Sequence, residues 1–224
     1  MRIPRHAIIL CQDGVRQDGV RQERKHAAVT QQKSGVQGVA KAAERYGEPV
    51  MWERTYPVSA ETFMERQTLE DRRTAEVVLL VRRRNGRYLL HTKAFYPPGT
   101  YRLLSGGVTP GEDLVEAALR EGHEETGLRL CVERFVGVLR QRFVHGQDVA
   151  PFTSYLFLLS EDGGDLGNTD TEEQITGFCE VPAEDLPAVA EALGDLPPEW
   201  AEWGRFRAEA HRLAAHVLLG DERL

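Results

Sequence analysis

Cysteine is scarce: Cys11, Cys131 and Cys179 are the only three in 224 residues. None stands in a C-x-x-C spacing, which excludes a disulfide framework and a structural zinc site and makes a reducing cytoplasm the expected location. Basic charge is also in short supply, with 28 Lys and Arg against 35 Asp and Glu, a formal net charge of −7. A protein that grips nucleic acid chiefly by its phosphates needs the opposite balance, so no nucleic-acid partner is expected. Long apolar runs are missing as well. The opening MRIPRHAIILC places basic residues before an apolar stretch, but Ala7 to Leu10 is too short for the core of a secretory signal. No segment approaches membrane-spanning length, so no membrane is expected.

What is present, 41% hydrophobic and 28% charged residues, is the composition of an ordinary globular protein. The first stretch is the exception. Gln12-Asp13-Gly14-Val15-Arg16 is repeated at once over Gln17 to Arg21, and Gln-rich polar sequence continues to about Gly38. It offers too little apolar surface to offset its ordering entropy. Residues 1–48 therefore read as a polar, disordered arm, within which 38–46 has the makings of a short helix with Val39, Ala40 and Ala43 on one side. Residues 49–224 read as the folded domain.

In that domain Met51, Trp52, Tyr56, Val58 and Phe63 suit an edge strand or hairpin. Val77 to Val81 is a buried strand, and Asn85-Gly86 is a type I′ hairpin signal joining it to Arg87 through Thr92. Tyr101 to Leu104 is a further short strand, Arg129 to Arg142 one long or bent strand, Phe152 to Leu159 another, and Gln174 to Val181 the last. A helix follows Pro182 to about Leu193. Trp203, Phe206, Ala210, Leu213 and Val217 recur at helical spacing between Glu199 and Leu219. Strands on both sides of a central helix, with a closing helix, predict a mixed sheet held between helices, an α/β architecture.

The central helix carries the chemistry. In GGVTPGEDLVEAALREGHEETGL, Gly106 to Leu128, Glu121, Glu124 and Glu125 fall at i, i+3 and i+4, so three carboxylates share about one turn. Like charges at this spacing repel, and no lysine intervenes. A hard divalent cation, Mg²⁺ or Mn²⁺, would turn the repulsion into attraction. The helical wheel sets Leu114, Val115, Ala118, Leu119 and Gly122 on the core arc, with Glu121 and Glu125 at its edge and His123 toward solvent. Arg120 is placed to steady the acids by charge-assisted hydrogen bonds. Gly106 and Gly107 allow backbone to come close to a ligand, and Gly127 suits a helix C-terminus.

This stretch resembles the Nudix box, G-x(5)-E-x(7)-R-E-U-x-E-E-x-G-U with U a bulky aliphatic, at Gly106, Glu112, Arg120, Glu121, Glu124, Glu125, Gly127 and Leu128. One position departs: Gly122 stands where the first U is usual. It costs the helix about 1 kcal/mol relative to alanine and leaves the tightness of helix-to-sheet packing open.

The resemblance implies an α/β/α sandwich and an enzyme that hydrolyses a nucleoside diphosphate linked to another group, a small-molecule nucleotide substrate. It implies Mg²⁺ or Mn²⁺ held by Glu121, Glu124 and Glu125, with Arg120 orienting them, Glu112 supporting, and Gly106 and Gly107 beside metal and substrate. The general base in such enzymes is a box glutamate or an acid on a distant loop. Here the loop acids are Glu172 and Glu173, of which Glu173 lies nearer the last strand. Arg102, Arg140 and Arg142 are candidates for substrate phosphates, and Phe95, Tyr96 and Tyr101 are either base-stacking or core aromatics. No subfamily signal names the leaving group. A homodimer is common in the family, with Met51 to Phe63 as a candidate interface. Two alternatives stand beside hydrolysis of small nucleotides: a nucleotide sensor that does not cleave, and hydrolysis at the 5′ end of RNA.

Overall fold

The computed structural model describes residues 38–70, 74–167 and 173–220. Residues 38–46 form a helix, α1, which leads into strand β1 (Val50–Pro57) and helix α2 (Ala60–Glu70). Strands β2 (Ala75–Arg82), β3 (Tyr88–Lys93) and β4 (Arg102–Gly107) precede the central helix α3 (Leu114–Thr126). The chain then runs through β5 (Arg129–His145), β6 (Asp148–Gly163) and β7 (Ile175–Val181) to helices α4 (Leu186–Gly194) and α5 (Ala201–Leu219).

The strands make one mixed sheet in the order β1-β5-β6-β2-β4-β3-β7, with β1 parallel to β5, β2 parallel to β6 and the other pairs antiparallel. Because successive side chains on a strand face opposite ways, β2 feeds two cores. Val77, Leu79 and Val81 join Leu104, Phe135 and Phe157 under α3 and α1, while Val78 and Leu80 join Leu139, Leu156 and Leu213 under α5. The expected α/β/α sandwich with a mixed sheet is the architecture observed.

Within the stretch read as an arm, 38–46 is helical and packed. Ala42 and Ala43 are buried against the core under α3, and Lys41 pairs with Asp113 at 2.7 Å. Residues 1–37 lie outside the described residues. Among the described residues no helix is long and apolar enough to cross a membrane.

Two local readings differ from the structure. Asn85-Gly86 does not form a type I′ turn, which needs positive φ at both central residues. Only Gly86 is positive (82°), and its N–H closes on Arg83 O at 2.9 Å. Asn85 is held by its side chain, whose Oδ1 accepts from Arg87 N and whose Nδ2 donates to Glu180 Oε2. β2 and β3 then diverge after Arg82 and Tyr88, and β4 pairs with both. Second, of the edge strand or hairpin read for Met51 to Phe63, the edge strand is observed, β1 lying at the end of the sheet, but a helix follows it where a hairpin partner would stand. Phe63 is buried in α2 while Met64 is exposed, so a single inward anchor left no readable period.

Gly122, the departure from the box, is a point of close contact between α3 and the sheet. A Cβ there would lie 2.5 Å from Leu130 Cδ1 and about van der Waals distance from Leu79 and Leu159. Leu130 fills the room that a bulky residue at 122 would occupy, so the packing is tight. On the other face, His211 sits fully inside, its Nε2 accepting from Leu103 N at 3.0 Å and its Nδ1 lying 3.0 Å from Arg207 O. That pattern requires a neutral ring with the proton on Nδ1. Burial, with Arg102, Arg207 and Arg212 nearby, lowers its pKa to about 3.

Gly122→Val should destabilise the protein by about 2 kcal/mol. Combined with Leu130→Ala it should cost at least about 1 kcal/mol less than the sum of the single changes, as read by urea unfolding; strict additivity would refute the exchange of volume. For His211, the unfolded ring takes up a proton below about 6.5 that the folded one refuses, so its contribution is intact above that pH and declines as pH falls toward 3. Between pH 7 and 4.5 the wild type should lose about 2–3 kcal/mol more than His211→Gln. Equal losses would show that the ring is not held neutral.

Candidate active site

The site begins with two glycines at the end of β4. A Cβ on Gly106 would fall 1.8 Å from the Glu121 carboxylate, so the acid lies directly on the strand where a side chain is missing. Helix α3 is set against this strand by its caps. Asp113 accepts from Val115 N at 2.9 Å and from Glu116 N at 3.4 Å, and Gly127, at φ 69°, donates its N–H to His123 O at 2.7 Å.

Arg120 is the hub of the acids. Its Nη1 donates to Glu121 Oε1 (2.8 Å) and Glu124 Oε2 (3.0 Å), its Nε to Glu112 Oε1 (2.8 Å), and its Nη2 to Glu112 Oε2 and Gly107 O (both 3.0 Å). One guanidinium thus ties the loop, the strand and the helix together. The Arg120 hydrogen bonds hold the Glu112 carboxyl below its ordinary range, and the same partners raise the pKa of Arg120. Burial pushes Glu121 the other way, upward, with the neighbouring Glu124 and Glu173 adding to it and Arg120 opposing.

The wheel placed Glu121 and Glu125 at the edge of the core arc; the structure places them inside it. Glu121 is 6% exposed and Glu125 fully enclosed, while Val115 and Leu119 are only partly buried. The reason is the run of small residues beside them. Ala117, Ala118, Gly122 and the facing Gly106 let helix and strand approach until the acids are covered. Glu124 is the outer member, with its side chain 41% exposed.

Glu125 points into the sheet. On β3, Leu89, His91 and Lys93 alternate toward α3, and a bulge between Thr92 and Lys93 in the pairing with β7 sets Lys93 opposite Ile175. His91 Nδ1 stands 3.7 Å and Lys93 Nζ 3.6 Å from Glu125 Oε1. Neither Glu125 oxygen nor either His91 nitrogen has a hydrogen-bond partner. Burial pushes the Glu125 carboxyl up to about 8, although Arg102 and Lys93 pull it down, and burial with the nearby cations drives the His91 imidazole well below its usual range. Lys93 also pairs with Glu173. Ala94 N donates to Gln174 O at 2.9 Å, and Gln174 takes a positive φ of 53°, which fastens the segment bearing Glu173 to the end of β3.

Gly106, Gly107, Glu112, Arg120, Glu121 and Glu124 are therefore brought together, and Glu173 reaches Glu125 through Lys93. Glu172 lies outside the described residues. Arg102, read as a candidate for substrate phosphates, is 4% exposed, and its donors turn inward: Nε to the Tyr96 hydroxyl (2.7 Å), and Nη1 to Leu103 O (2.8 Å) and Ser105 Oγ (2.9 Å). Arg140 and Arg142 are exposed on β5, Arg140 lying 3.6 Å from Glu53. His91 and Lys93 went unnoticed in the sequence. Their only signal is a pair of polar residues two apart, on either side of Thr92, at the end of a strand that opens with Tyr88-Leu89-Leu90, and that becomes legible only once α3 is known to cover their face of β3.

The donor set suits a hard divalent cation. Carboxylate oxygens predominate, and a buried carboxylate without a donor is costly until a cation meets it. Among the described residues no three His, Cys, Asp or Glu already converge as a ligand set. Arg120 draws Glu121 and Glu124 to itself, while Glu125 faces Lys93.

Comparison with known proteins agrees with the box. Residues 71–203 match the NUDIX domain family. A NAD-capped RNA hydrolase, NudC, from Chromobacterium violaceum is 30% identical over 111 residues, covering 50% of this chain and 40% of that protein. The chloroplastic Nudix hydrolase 19 of Arabidopsis thaliana is 41% identical over 54 residues, 24% of this chain and 12% of that protein. The chain thus spans less than half the length of either relative. Among solved structures, an Ap4A hydrolase binary complex from C. elegans is 22% identical with a TM-score of 0.43, covering 66% of this chain and 99% of that one. The E. coli dihydroneopterin triphosphate pyrophosphohydrolase is 16% identical with a TM-score of 0.43, covering 66% and 97%. A family match over more than half of the chain, enclosing a box whose arginine gathers its glutamates on a glycine strand, makes this protein a member of the Nudix family.

Proposed function

We propose that the chain hydrolyses a diphosphate bond in a nucleoside diphosphate linked to another moiety, with Mg²⁺ or Mn²⁺ as cofactor. The observation that carries this reading is the gathering of Glu112, Glu121 and Glu124 by Arg120 at Gly106 and Gly107, beside a buried Glu125 that lacks a donor. Nudix hydrolases generally use divalent metals, and Glu121, Glu124 and Glu125 would hold the ion here. When bound, it supplies the positive charge that offsets the repulsion between a pyrophosphate and an incoming water.

The residues of the chain do the rest. The room left at Gly106 lets the Glu121 carboxylate settle on the strand, and Arg120 keeps Glu121 and Glu124 aimed at the substrate phosphates. Water adds to phosphorus as the bridging P–O bond breaks, and Glu173, beside Lys93 and Glu125, accepts the proton. Arg102 acts from behind, bracing β4 through Leu103 O and Ser105 Oγ.

Glu124→Gln should lower kcat by at least about a hundredfold, near 3 kcal/mol of barrier, with an unchanged circular dichroism spectrum. Unaltered turnover would remove the acid cluster from the mechanism. Gly106→Ala, whose methyl must evict the Glu121 carboxylate, should cost about the same factor while the thermal midpoint moves little; full activity would show that Glu121 works from elsewhere. Substrate class is tested by phosphate release from nucleotide sugars, dinucleotides, nucleoside triphosphates and a 5′-triphosphorylated oligonucleotide, with Mg²⁺ or Mn²⁺. The name of the Chromobacterium violaceum relative adds NAD-capped RNA to that panel. Turnover of the small nucleotides supports the proposal, turnover of the capped or triphosphorylated RNA alone moves the reading to the 5′ end of RNA, and binding without turnover makes the protein a sensor.

A further inference from the structure

We propose that Lys93, paired with Glu173, is a tethered cation that holds the place of a divalent ion at Glu125, and yields it when metal and substrate phosphates arrive. The inference rests on the functional reading above and adds a positioning residue that lies outside the box.

Lys93 is 9% exposed, and the alternation of β3 that points Leu89 and His91 toward α3 points it the same way. Its ammonium pairs with Glu173 and stands 3.6 Å from Glu125 Oε1. An ammonium with so little water must have counter-ions, and these two acids provide them. The fit at Glu125 is loose nonetheless. At 3.6 Å no hydrogen bond forms, and both carboxylate oxygens remain without a donor. His91, 3.7 Å away, leaves the gap unfilled, because neither of its nitrogens is bonded. A small divalent ion, whose oxygens lie at about 2.1 Å, would meet that carboxylate better than the lysine does.

The lysine and the metal therefore compete for Glu125. A four-carbon stem lets the charge swing while its base stays anchored in β3, and the way out is on the Glu173 side, where that carboxylate is 32% exposed. Expelled by the like charge of the metal, the ammonium leaves Glu173 as an acceptor for a proton and comes to the mouth where substrate phosphates carry their negative charge. Two consequences follow for affinity. The protein alone binds metal weakly, because the ion must first displace Lys93. A diphosphate in the site strengthens metal binding by giving the displaced ammonium a new partner, and by linkage the metal strengthens nucleotide binding by the same factor.

Calorimetric titration of Mg²⁺ into the full chain at pH 8, with and without the non-hydrolysable α,β-methylene-ADP, tests this. Without nucleotide, Lys93→Met should bind Mg²⁺ at least about tenfold more tightly than wild type, since a positive charge beside the ion is gone. Lys93→Arg, which keeps the charge, should stay near wild type. The nucleotide should tighten Mg²⁺ binding more in wild type than in Lys93→Met, and the turnover of Lys93→Met should suffer mainly through KM. If Lys93→Met fails to fold, Lys93→Gln gives the same reading with a polar side chain. Unchanged or weaker Mg²⁺ binding in a folded neutral variant overturns the inference and leaves the hydrolase reading standing. Wild type that takes up no Mg²⁺, even with the nucleotide, overturns both.

Discussion

The arrangement depends on one guanidinium. Arg120 binds the loop acid Glu112, the strand carbonyl of Gly107 and the helix acids Glu121 and Glu124. Without it, several carboxylates would converge on a corner partly closed to water, and their mutual repulsion would oppose the packing of α3 on β4. With it, that charge becomes the means by which three segments of chain are held in register. The helix is half of a charged joint whose other half is backbone.

The joint can close because side chains are missing where it needs them to be. Gly106 gives its place to the Glu121 carboxylate, and Gly122 gives its place to Leu130. Ala117 and Ala118 line the same face and are fully buried. The resulting approach covers Glu121 and Glu125, and this is what lifts their carboxyl groups above the ordinary range. Acidity and packing are thus one problem. The contacts that fasten α3 to the sheet also prepare its acids to prefer a cation over water. α1 takes part from outside the matched family region: Lys41 pairs with the Asp113 that caps α3, and Gly38 lies against Leu114.

Much of this was legible in the sequence, for physical reasons that differ by element. β2 announced itself as an unbroken apolar run from Val77 to Val81, and β6 by its aromatic and aliphatic residues between Phe152 and Leu159, because both faces of each are covered. α3 did so because its acids, caps and arginine obey helical spacing. The extent of β4 was not legible, since the strand pattern stops at Leu104, where the small residues Ser105-Gly106-Gly107 carry no apolar signal, yet the strand continues to Gly107, its glycines being paired with β2. The I′ reading of Asn85-Gly86 failed because Asn85 has a better use for its amide, on Glu180 of a strand nearly a hundred residues on. Arg102 suggested a phosphate contact by proximity to the box, but its place among Tyr96, Leu103 and Ser105 is fixed by the loop between β3 and β4. Lys93 and His91 show the general limit. Their importance comes from facing Glu125 across the sheet, and periodicity along one strand carries no information about what another element brings opposite.

Two cations of the chain, Arg120 and Lys93, therefore stand among acids that would otherwise demand a metal. Under the proposed function the first is permanent and the second exchangeable, and both serve attack by water on phosphorus. The most direct test of that claim is turnover of a nucleoside diphosphate derivative in ¹⁸O-water, with products weighed by mass spectrometry in the presence of Mg²⁺ and again with chelator in excess. The account predicts one ¹⁸O in a phosphate of a product with the metal present and no reaction with chelator. Cleavage that survives chelation, or products whose phosphates carry no label, would contradict it.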